Sequence, residues 1–139
     1  MADNDNFNDK IITEFRANGG KVGGYFDGQT LLLLHTVGMK SGAERINPLV
    51  YQRVGDAYAI FGSAGGGPND PQWYRNLLAN PDTTVEVGSD SVTVRARKAD
   101  AGERAPIWTK QMADLANFAG YEKTAAPREI PVVILDPKA

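Results

Sequence analysis

Four consecutive leucines at positions 31–34 constrain the fold more than any other part of this sequence. Successive side chains of a β-strand point to opposite faces of its sheet, so four leucines in a row need apolar neighbours on both faces. A strand covered on both sides is typical of a closed or barrel-like sheet. The leucine run therefore predicts a buried strand in such a sheet.

Tight turns divide the sequence around this strand into hairpins. The dipeptide Asp27-Gly28 precedes the leucines, and two further turns are predicted at 54–57 and 88–90. Three hairpins favour an antiparallel sheet that curls into a small barrel. The strands predicted along the chain are 22–26, the leucine strand, 46–54, 58–63, 84–87, 92–96 and a closing strand at 130–135.

Helical spacing and capping residues predict three helices. The first lies within 1–20 and is amphipathic, because its apolar residues recur at helical spacing: Phe7, Ile11, Ile12 and Phe15. The second has Asp70 as part of its cap and Pro71 at its first position, and it continues from Gln72 to Leu78. The third runs from Asp100 to about residue 115, since Asp100 and Glu103 have the spacing of a capping box. The expected class is therefore α+β, mainly β.

Composition limits the functions that this chain can have. Its 139 residues suit a single domain over 1–139, and a net charge of −2 gives no general reason to bind nucleic acid. The absence of cysteine and the single histidine exclude thiolate and multi-histidine metal sites. The polar, acidic N-terminus lacks the features of a signal peptide, and no apolar run is long enough to span a bilayer. We expect a cytoplasmic protein.

A basic turn follows the leucine strand. It combines two glycines, a hydroxyl and two cations: Gly38, Lys40, Ser41, Gly42 and Arg45. The missing first glycine and the strand that follows exclude the phosphate-binding loop of nucleotide hydrolases. Two interpretations stay open, a cradle for an anionic ligand and a solvated hairpin loop.

A second cluster is the Gly-rich segment 61–68 and the aromatic start of the next helix. The segment lets a planar ligand approach the backbone, or it is only a flexible connection. Trp73 and Tyr74 are more typical of a core, and His35 is more typical of a packed, hydrogen-bonded residue than of a catalyst. No nucleophile, base and acid form a convincing set. If the protein is an enzyme, a cofactor supplies its chemistry.

Three segments that occur in a fixed order resemble the deazaflavin-dependent nitroreductase family. They are LLLLHTVGMKSGAERINPLVY, FGSAGGGPNDPQWYRNLLANP and FAGYEKTAAPREIPVVILDP, and the likeness covers nearly the whole chain from Leu31 onward. The resemblance implies a split antiparallel β-barrel of about six to seven strands with an N-terminal helix and two further helices. It also implies the coenzyme F-420, a deazaflavin that carries a phosphate and an acidic tail.

The resemblance implies a role for each cluster. Lys40, Ser41, Gly42 and Arg45 would hold the coenzyme tail. Met39 belongs to the same turn but stands where the family often has a basic residue, so one tail contact is expected to be missing. The other implied contacts are Pro48, Leu49 and Val50 beside the ring, Ser63, Ala64 and Gly65 at the ring edge, Trp73, Tyr74 and Asn76 on its other side, and Phe118 and Tyr121 facing the acceptor.

The implied reaction is hydride transfer from the reduced coenzyme to a quinone or nitroaromatic acceptor, with a proton from water or from the hydroxyl of Tyr121 or Ser63. Phe118 stands where a tyrosine is common, which removes one hydroxyl from the acceptor side. The alternatives are a barrel that binds the coenzyme without catalysis and a reductase that uses flavin mononucleotide (FMN). A peripheral membrane contact, and a monomer or a homodimer, also remain open.

Overall fold

The computed structural model of this protein describes residues 2–23, 30–39 and 41–138, with side chains from residue 8 onward. Lys40, the turn predicted at Asp27-Gly28 and most of the strand predicted before that turn lie outside the described residues. The described part contains helices α1 (Ala2–Ala17), α2 (Gln72–Ala79), α3 (Ala101–Asp114) and α4 (Asn117–Ala125) and strands β1 (Leu31–Val37), β2 (Glu44–Val54), β3 (Ala57–Phe61), β4 (Asp82–Val87), β5 (Asp90–Lys98) and β6 (Val132–Pro137).

The strands form a closed antiparallel barrel in the order β1-β2-β3-β6-β5-β4. Hairpins join β2 to β3 and β4 to β5, as the turn residues predict. The barrel closes where β1 pairs with β4, with Leu34 opposite Val85, while Leu33 of the same strand lies opposite Pro48 of β2. The predicted antiparallel barrel is confirmed.

The leucine run is buried on both sides, as its pattern predicts. Leu32 and Leu34 point into the barrel, where they pack with Ile60 and Leu135. Leu31 and Leu33 point outward and pack beneath α1 against Ile11 and Phe15. None of the four leucines is more than 2% exposed. Full burial of such a side chain stabilises a fold by about 1.5 to 3 kcal/mol, so this strand ties the barrel to its outer layer.

The predicted start of one helix is confirmed and that of another is wrong. At α3 the Glu103 amide donates to Asp100 Oδ1 over 2.8 Å, and the Asp100 amide donates to Glu103 Oε1 over 3.3 Å. Helix α2 begins at Gln72, so Pro71 is its N-cap residue, and no side chain caps its amides. The Asp70 carboxylate instead accepts a hydrogen bond from Arg128.

The sequence predicted two helices beyond the first, but the described residues contain three, because α4 was missed. This helix contains Gly120, and the side chain of its N-cap residue Ala116 makes no capping hydrogen bond, so its local signal is weak. Packing supplies the stability: Phe118 and Ala125 are buried in an outer core with Trp108. For β2 to β6 the predicted and observed ends differ by about two residues at most, which is the usual uncertainty.

Two absences hold for the described part of the chain. No helix there combines the length and the apolar character that a membrane crossing requires. No group of its histidine, aspartate and glutamate side chains is arranged to bind a metal ion.

Candidate functional site

Two cavities lie beside the same two elements, β2 and α2. We call the first, of about 220 Å³, the aromatic cavity; its lining is Pro48, Leu49, Val50, Phe61, Ser63, Ala64, Gly65, Trp73, Asn117, Phe118 and Tyr121. We call the second, of about 520 Å³, the polar cavity; its lining is Gly38, Met39, Ser41, Arg45, Gln72, Arg75 and Asn76. Because both elements contribute to both cavities, one elongated ligand could occupy the two together.

The basic turn forms one rim of the polar cavity. The Gly38 amide donates to the Ala43 carbonyl and the Gly42 amide donates to the Gly38 carbonyl, each over 2.9 Å. Gly42 has a φ of 70°, which favours glycine, and a Cβ atom at position 38 would lie 2.6 Å from Ser41 Oγ, so a side chain there would displace the Ser41 hydroxyl. This geometry presents Met39 and Ser41 at the cavity.

The polar cavity is lined by hydrogen-bond donors and carries positive charge. Arg45 of β2 and Arg75 of α2 both reach it. Within the described residues no carboxylate lines the cavity, and neither arginine pairs with one. Two cations without partners favour a ligand with several negative charges.

Asn76 joins the turn to the helix and leaves one donor unused. Its side chain is only 1% exposed. Its Oδ1 accepts from the Met39 amide over 3.3 Å and from Gln72 Nε2 over 3.1 Å. Its Nδ2 has no partner in the described part of the protein. A buried donor without an acceptor is unfavourable, so a ligand with an oxygen acceptor would complete this site.

The Gly-rich segment provides the backbone wall of the aromatic cavity. Ala64 has a φ of 48° and is the one non-glycine residue with positive φ in the described chain. Gly65 has φ and ψ of 62° and 21°. Such a conformation strains alanine by about 1 kcal/mol or more, and strain of this kind concentrates at functional sites. Gly66, with a φ of 83°, packs directly against Tyr121 of α4.

Aromatic side chains also line the aromatic cavity. Phe118 is 5% exposed and Trp73 is 7% exposed. Phe118 packs edge-to-face on Phe61 and on Tyr121, with ring centroids 5.6 and 5.2 Å apart. The Tyr121 hydroxyl accepts a hydrogen bond of 3.0 Å from Asn117 Nδ2. The cavity is thus an apolar slot with hydroxyl groups of Tyr121 and Ser63 at its lining.

The structure brings most of the predicted residues together. Met39, Ser41, Arg45 and Asn76 line the polar cavity. The predicted residues that line the aromatic cavity are Pro48, Leu49, Val50, Ser63, Ala64, Gly65, Trp73, Phe118 and Tyr121. Gly42 shapes the turn from outside the lining, and Lys40 is not among the described residues.

Tyr74 and Arg75 differ from the expectation. Tyr74 lines neither cavity: its ring packs in the barrel core, and burial, with a smaller effect of Asp70, raises the pKa of its hydroxyl. Sequence reasoning missed Arg75, although it lies on the helix face of Gln72, three residues earlier, and next to Asn76. Helix α2 thus brings a second arginine, besides Arg45, to the cavity that Met39 lines.

His35 is a structural residue, as predicted. Its Nε2 lies 2.7 Å from a Glu86 carboxylate oxygen, and its Nδ1 lies 3.2 Å from Glu44. Arg16 of α1 donates twice to Glu86, over 3.0 and 2.7 Å. The Arg16 hydrogen bonds, with a smaller contribution from His35, lower the pKa of Glu86 to about 2. This cluster ties α1 to the barrel and lines neither of the two cavities.

A closed barrel with a polar cavity beside an aromatic one suits an elongated ligand that has an anionic part and a flat ring. The family model of the F420H(2)-dependent quinone reductases matches residues 10–137, and this chain belongs to that family. A protein of Mycobacterium tuberculosis named F420H(2)-dependent quinone reductase is 38% identical over 124 residues, which cover 87% of this chain and 83% of that protein.

Solved structures agree with the family. A structure of the F420-H2 dependent reductase FDR-A has a TM-score of 0.69 and 34% identity, and the match covers 76% of this chain and 93% of that one. Another, described as a domain-swapped dimer, has a TM-score of 0.72 and 27% identity, over 97% and 100% of the two chains. The resemblance inferred from the sequence is confirmed: the chain is an oxidoreductase of a family whose coenzyme is F-420.

The residues present fit this coenzyme. Phosphate and carboxylate groups need cations and N–H donors, and the polar cavity provides Arg45, Arg75 and the unpartnered amide of Asn76. A planar ring needs flat apolar walls, and the aromatic cavity provides the Trp73 and Phe118 rings.

Proposed function

We propose that this protein transfers a hydride from reduced F-420 to a quinone, with nitroaromatic compounds as a second class of acceptor. The coenzyme tail would lie in the polar cavity, and its ring would lie with the acceptor in the aromatic cavity. The observation that carries the proposal is the pair of cavities with opposite chemistry, which share β2 and α2. An anionic tail and a flat ring in one molecule match that pair.

The coenzyme would supply a hydride, which carries both electrons, and the chain would supply binding and orientation. Arg45 and Arg75 would bind the anionic groups, and the Asn76 amide would gain the acceptor that it lacks. With the tail fixed in the polar cavity, the ring would be held beside β2 and α2 in the aromatic cavity. Holding two reactants in attack geometry supplies a large share of the rate enhancement in such reactions.

The acceptor would receive its proton at the rim of the aromatic cavity. Tyr121 is half-buried and its hydroxyl faces Asn117, which donates to it. The Tyr121 O–H hydrogen is therefore free to point toward the acceptor oxygen, and Ser63 offers a second hydroxyl at the same cavity. Buried aromatic walls exclude water from the ring, which favours transfer to the acceptor over side reactions.

The proposal is tested by mixing the purified protein with reduced F-420 and a panel of a benzoquinone, a naphthoquinone and a nitroimidazole. Oxidation of the coenzyme is followed by its absorbance, with protein-free mixtures as the blank. We expect turnover with the quinones. Saturable binding of F-420 without turnover on any acceptor would instead establish a non-catalytic coenzyme-binding protein. Turnover with reduced FMN and none with reduced F-420 would identify FMN, instead of F-420, as the coenzyme.

A further inference from the structure

Arg128, between α4 and β6, makes an unusual set of contacts. Its side chain is 12% exposed. Nη1 donates to the Gly62 carbonyl over 2.9 Å and to Asp70 Oδ1 over 2.7 Å. Nη2 donates to the carbonyls of Ser63, over 3.0 Å, and Gly67, over 2.8 Å, and Nε also donates to Gly67. One nearly buried guanidinium thus binds three carbonyls of one short segment.

This segment has little means of holding its own shape. Residues 62–67 consist of four glycines, a serine and an alanine, so they have almost no side-chain packing to fix the backbone. Glycine loses more conformational freedom on folding than any other residue, which makes such a stretch flexible without outside contacts. Arginine is suited to the task because its planar fork presents five N–H donors in a fixed arrangement.

The arginine also sets which backbone groups are left for the cavity. Within the segment, the Gly66 amide donates to the Ser63 carbonyl and the Gly67 amide donates to the Ala64 carbonyl. The hydrogen bonds of the described residues leave the amides of Ser63, Ala64 and Gly65 without an acceptor. These same residues line the aromatic cavity. Arg128 occupies the carbonyls of Gly62, Ser63 and Gly67, so these three acceptors are not available to a ligand there.

Asp70 extends this arrangement to the start of α2. It lies just before the helix and neutralises Arg128, so the buried charge has a partner. Trp73, three residues further, lines the aromatic cavity. One guanidinium therefore connects two walls of the cavity, the Gly-rich segment and α2.

We propose that Arg128 is a positioning residue for the proposed hydride transfer: it fixes the Gly-rich wall of the aromatic cavity relative to α2. The inference rests on the proposed function for its kinetic consequence. Arg128 is absent from the lining of the cavity, so its effect passes through the segment that it holds. Small displacements of a wall that orients two reactants change rates strongly, by up to about a hundredfold for 1 Å.

The main variant is Arg128→Met, which keeps the apolar stem and removes the donors. A matched control is Arg104→Met. Arg104 is also nearly buried, 14% exposed, and also donates twice to a backbone carbonyl, that of Ile130. Its side chain stacks over the Trp108 ring, and neither Ile130 nor Trp108 lines the aromatic cavity. Both variants should have a lower melting temperature than wild type. The size of that decrease measures how much each arginine stabilises the fold.

Two readouts separate positioning from stability. Hydrogen exchange of the coenzyme-free protein should accelerate at the amides of Gly66 and Gly67 in Arg128→Met and stay at the wild-type rate in Arg104→Met. At saturating F-420, kcat should fall about tenfold or more in Arg128→Met, because the wall moves, and remain near wild type in Arg104→Met. Arg128→Lys should lie between, because one ammonium cannot bind three carbonyls in a planar fork.

Other outcomes would overturn the inference. Wild-type exchange rates in Arg128→Met would mean that the segment holds its shape alone. Faster exchange with wild-type kcat, or an equal fall of kcat in both arginine variants, would leave Arg128 a merely structural residue. If Arg128→Met does not fold, Arg128→Lys carries the same comparison. A wild-type protein without turnover would contradict the proposed function, while the exchange rates would still decide whether Arg128 holds the segment.

Discussion

The polar and the aromatic cavity are built in different ways. Exposed side chains such as Arg45 and Arg75 carry the charge of the polar cavity, and neither forms an ion pair with another described residue. The aromatic cavity consists of backbone and of rings such as Phe118 and Trp73 that also belong to the core. The affinity for a coenzyme tail can therefore be changed by single substitutions in the polar cavity. The geometry around the coenzyme ring depends instead on the packing of the core to which these aromatic side chains belong.

The largest effect is expected from Gly66→Ala, in the Gly-rich segment that lines the aromatic cavity but at a position packed against α4. The new Cβ would lie 2.1 Å from Thr124 Oγ1 and 3.1 Å from Tyr121 Cα, at a φ of 83° that alanine disfavours. Strain and overpacking together should destabilise the fold by about 2 to 5 kcal/mol and move α4 away from the Gly-rich wall. Turnover should fall about a hundredfold. Thermal melting and steady-state kinetics measure both effects.

Gly120→Ala is the matched control within α4. A Cβ there meets nothing within 4 Å, and alanine suits a helix better than glycine by about 0.5 to 1 kcal/mol. We expect unchanged turnover and equal or higher stability. If the alanines at positions 66 and 120 are tolerated equally well, the aromatic cavity does not depend on close packing of α4.

The second prediction separates chemistry from shape within the aromatic cavity. Tyr121→Phe keeps the ring and its packing on Phe118 but removes the hydroxyl, so turnover should fall at least about tenfold if that group donates the proton. The dissociation constant for F-420 should hardly change. Tyr51→Phe, in a half-buried tyrosine that lines neither cavity, is the control. Wild-type turnover of Tyr121→Phe with every acceptor would dismiss Tyr121 as proton donor.

The third prediction addresses the polar cavity. Arg45→Ala combined with Arg75→Ala should raise the dissociation constant for F-420 about tenfold to thirtyfold, because each exposed charge contributes about 1 kcal/mol. The maximal turnover should stay constant, and the difference from wild type should shrink at high salt. Titration with F-420 followed by difference spectra measures the constant. Arg53→Ala, on the same strand but at neither cavity, is the control; equal affinities of the double variant and the control would remove the tail site.

The smallest effect is expected outside both cavities, at Glu86. Its pKa is lowered to about 2 in the folded protein, chiefly by Arg16, so the ionised carboxylate stabilises the fold at pH values above its ordinary pKa of 4.5. That contribution is lost as the pH falls from 4.5 towards 2. Glu86→Gln should cost about 1 kcal/mol at neutral pH after screening by solvent, and less below pH 4. Melting curves of wild type and Glu86→Gln from neutral pH to low pH measure this effect. The affinity for F-420 should stay unchanged, in contrast to the variants in the polar cavity.

Sequence patterns predicted those features that local chemistry decides. The leucine run, the turns at 54–57 and 88–90 and the capping box at Asp100 each determine a structure within a few residues, and each is confirmed. Helix α4 was missed because its stability comes from the burial of Phe118 and Ala125 in distant packing, which no short pattern records.

The site shows the same division. Motif order was enough to predict residues of the two cavities, including Ser41, Arg45 and Ser63. The roles of Arg75 and Arg128 could not be predicted, because each depends on which element the barrel brings next to it. Asp70 was interpreted as a helix cap for the same reason: its actual partner, Arg128, is far away in sequence.

Strand β6 is the last strand in the sequence, yet in the barrel it lies between β3 and β5. During synthesis the earlier strands therefore emerge with two open edges, and the barrel cannot close until β6 has left the ribosome. The Gly62 amide donates to the Pro131 carbonyl just before β6, and Arg128 belongs to the same late stretch. The wall of the aromatic cavity and the closure of the sheet thus both depend on this late stretch, so neither is complete until it has been synthesised.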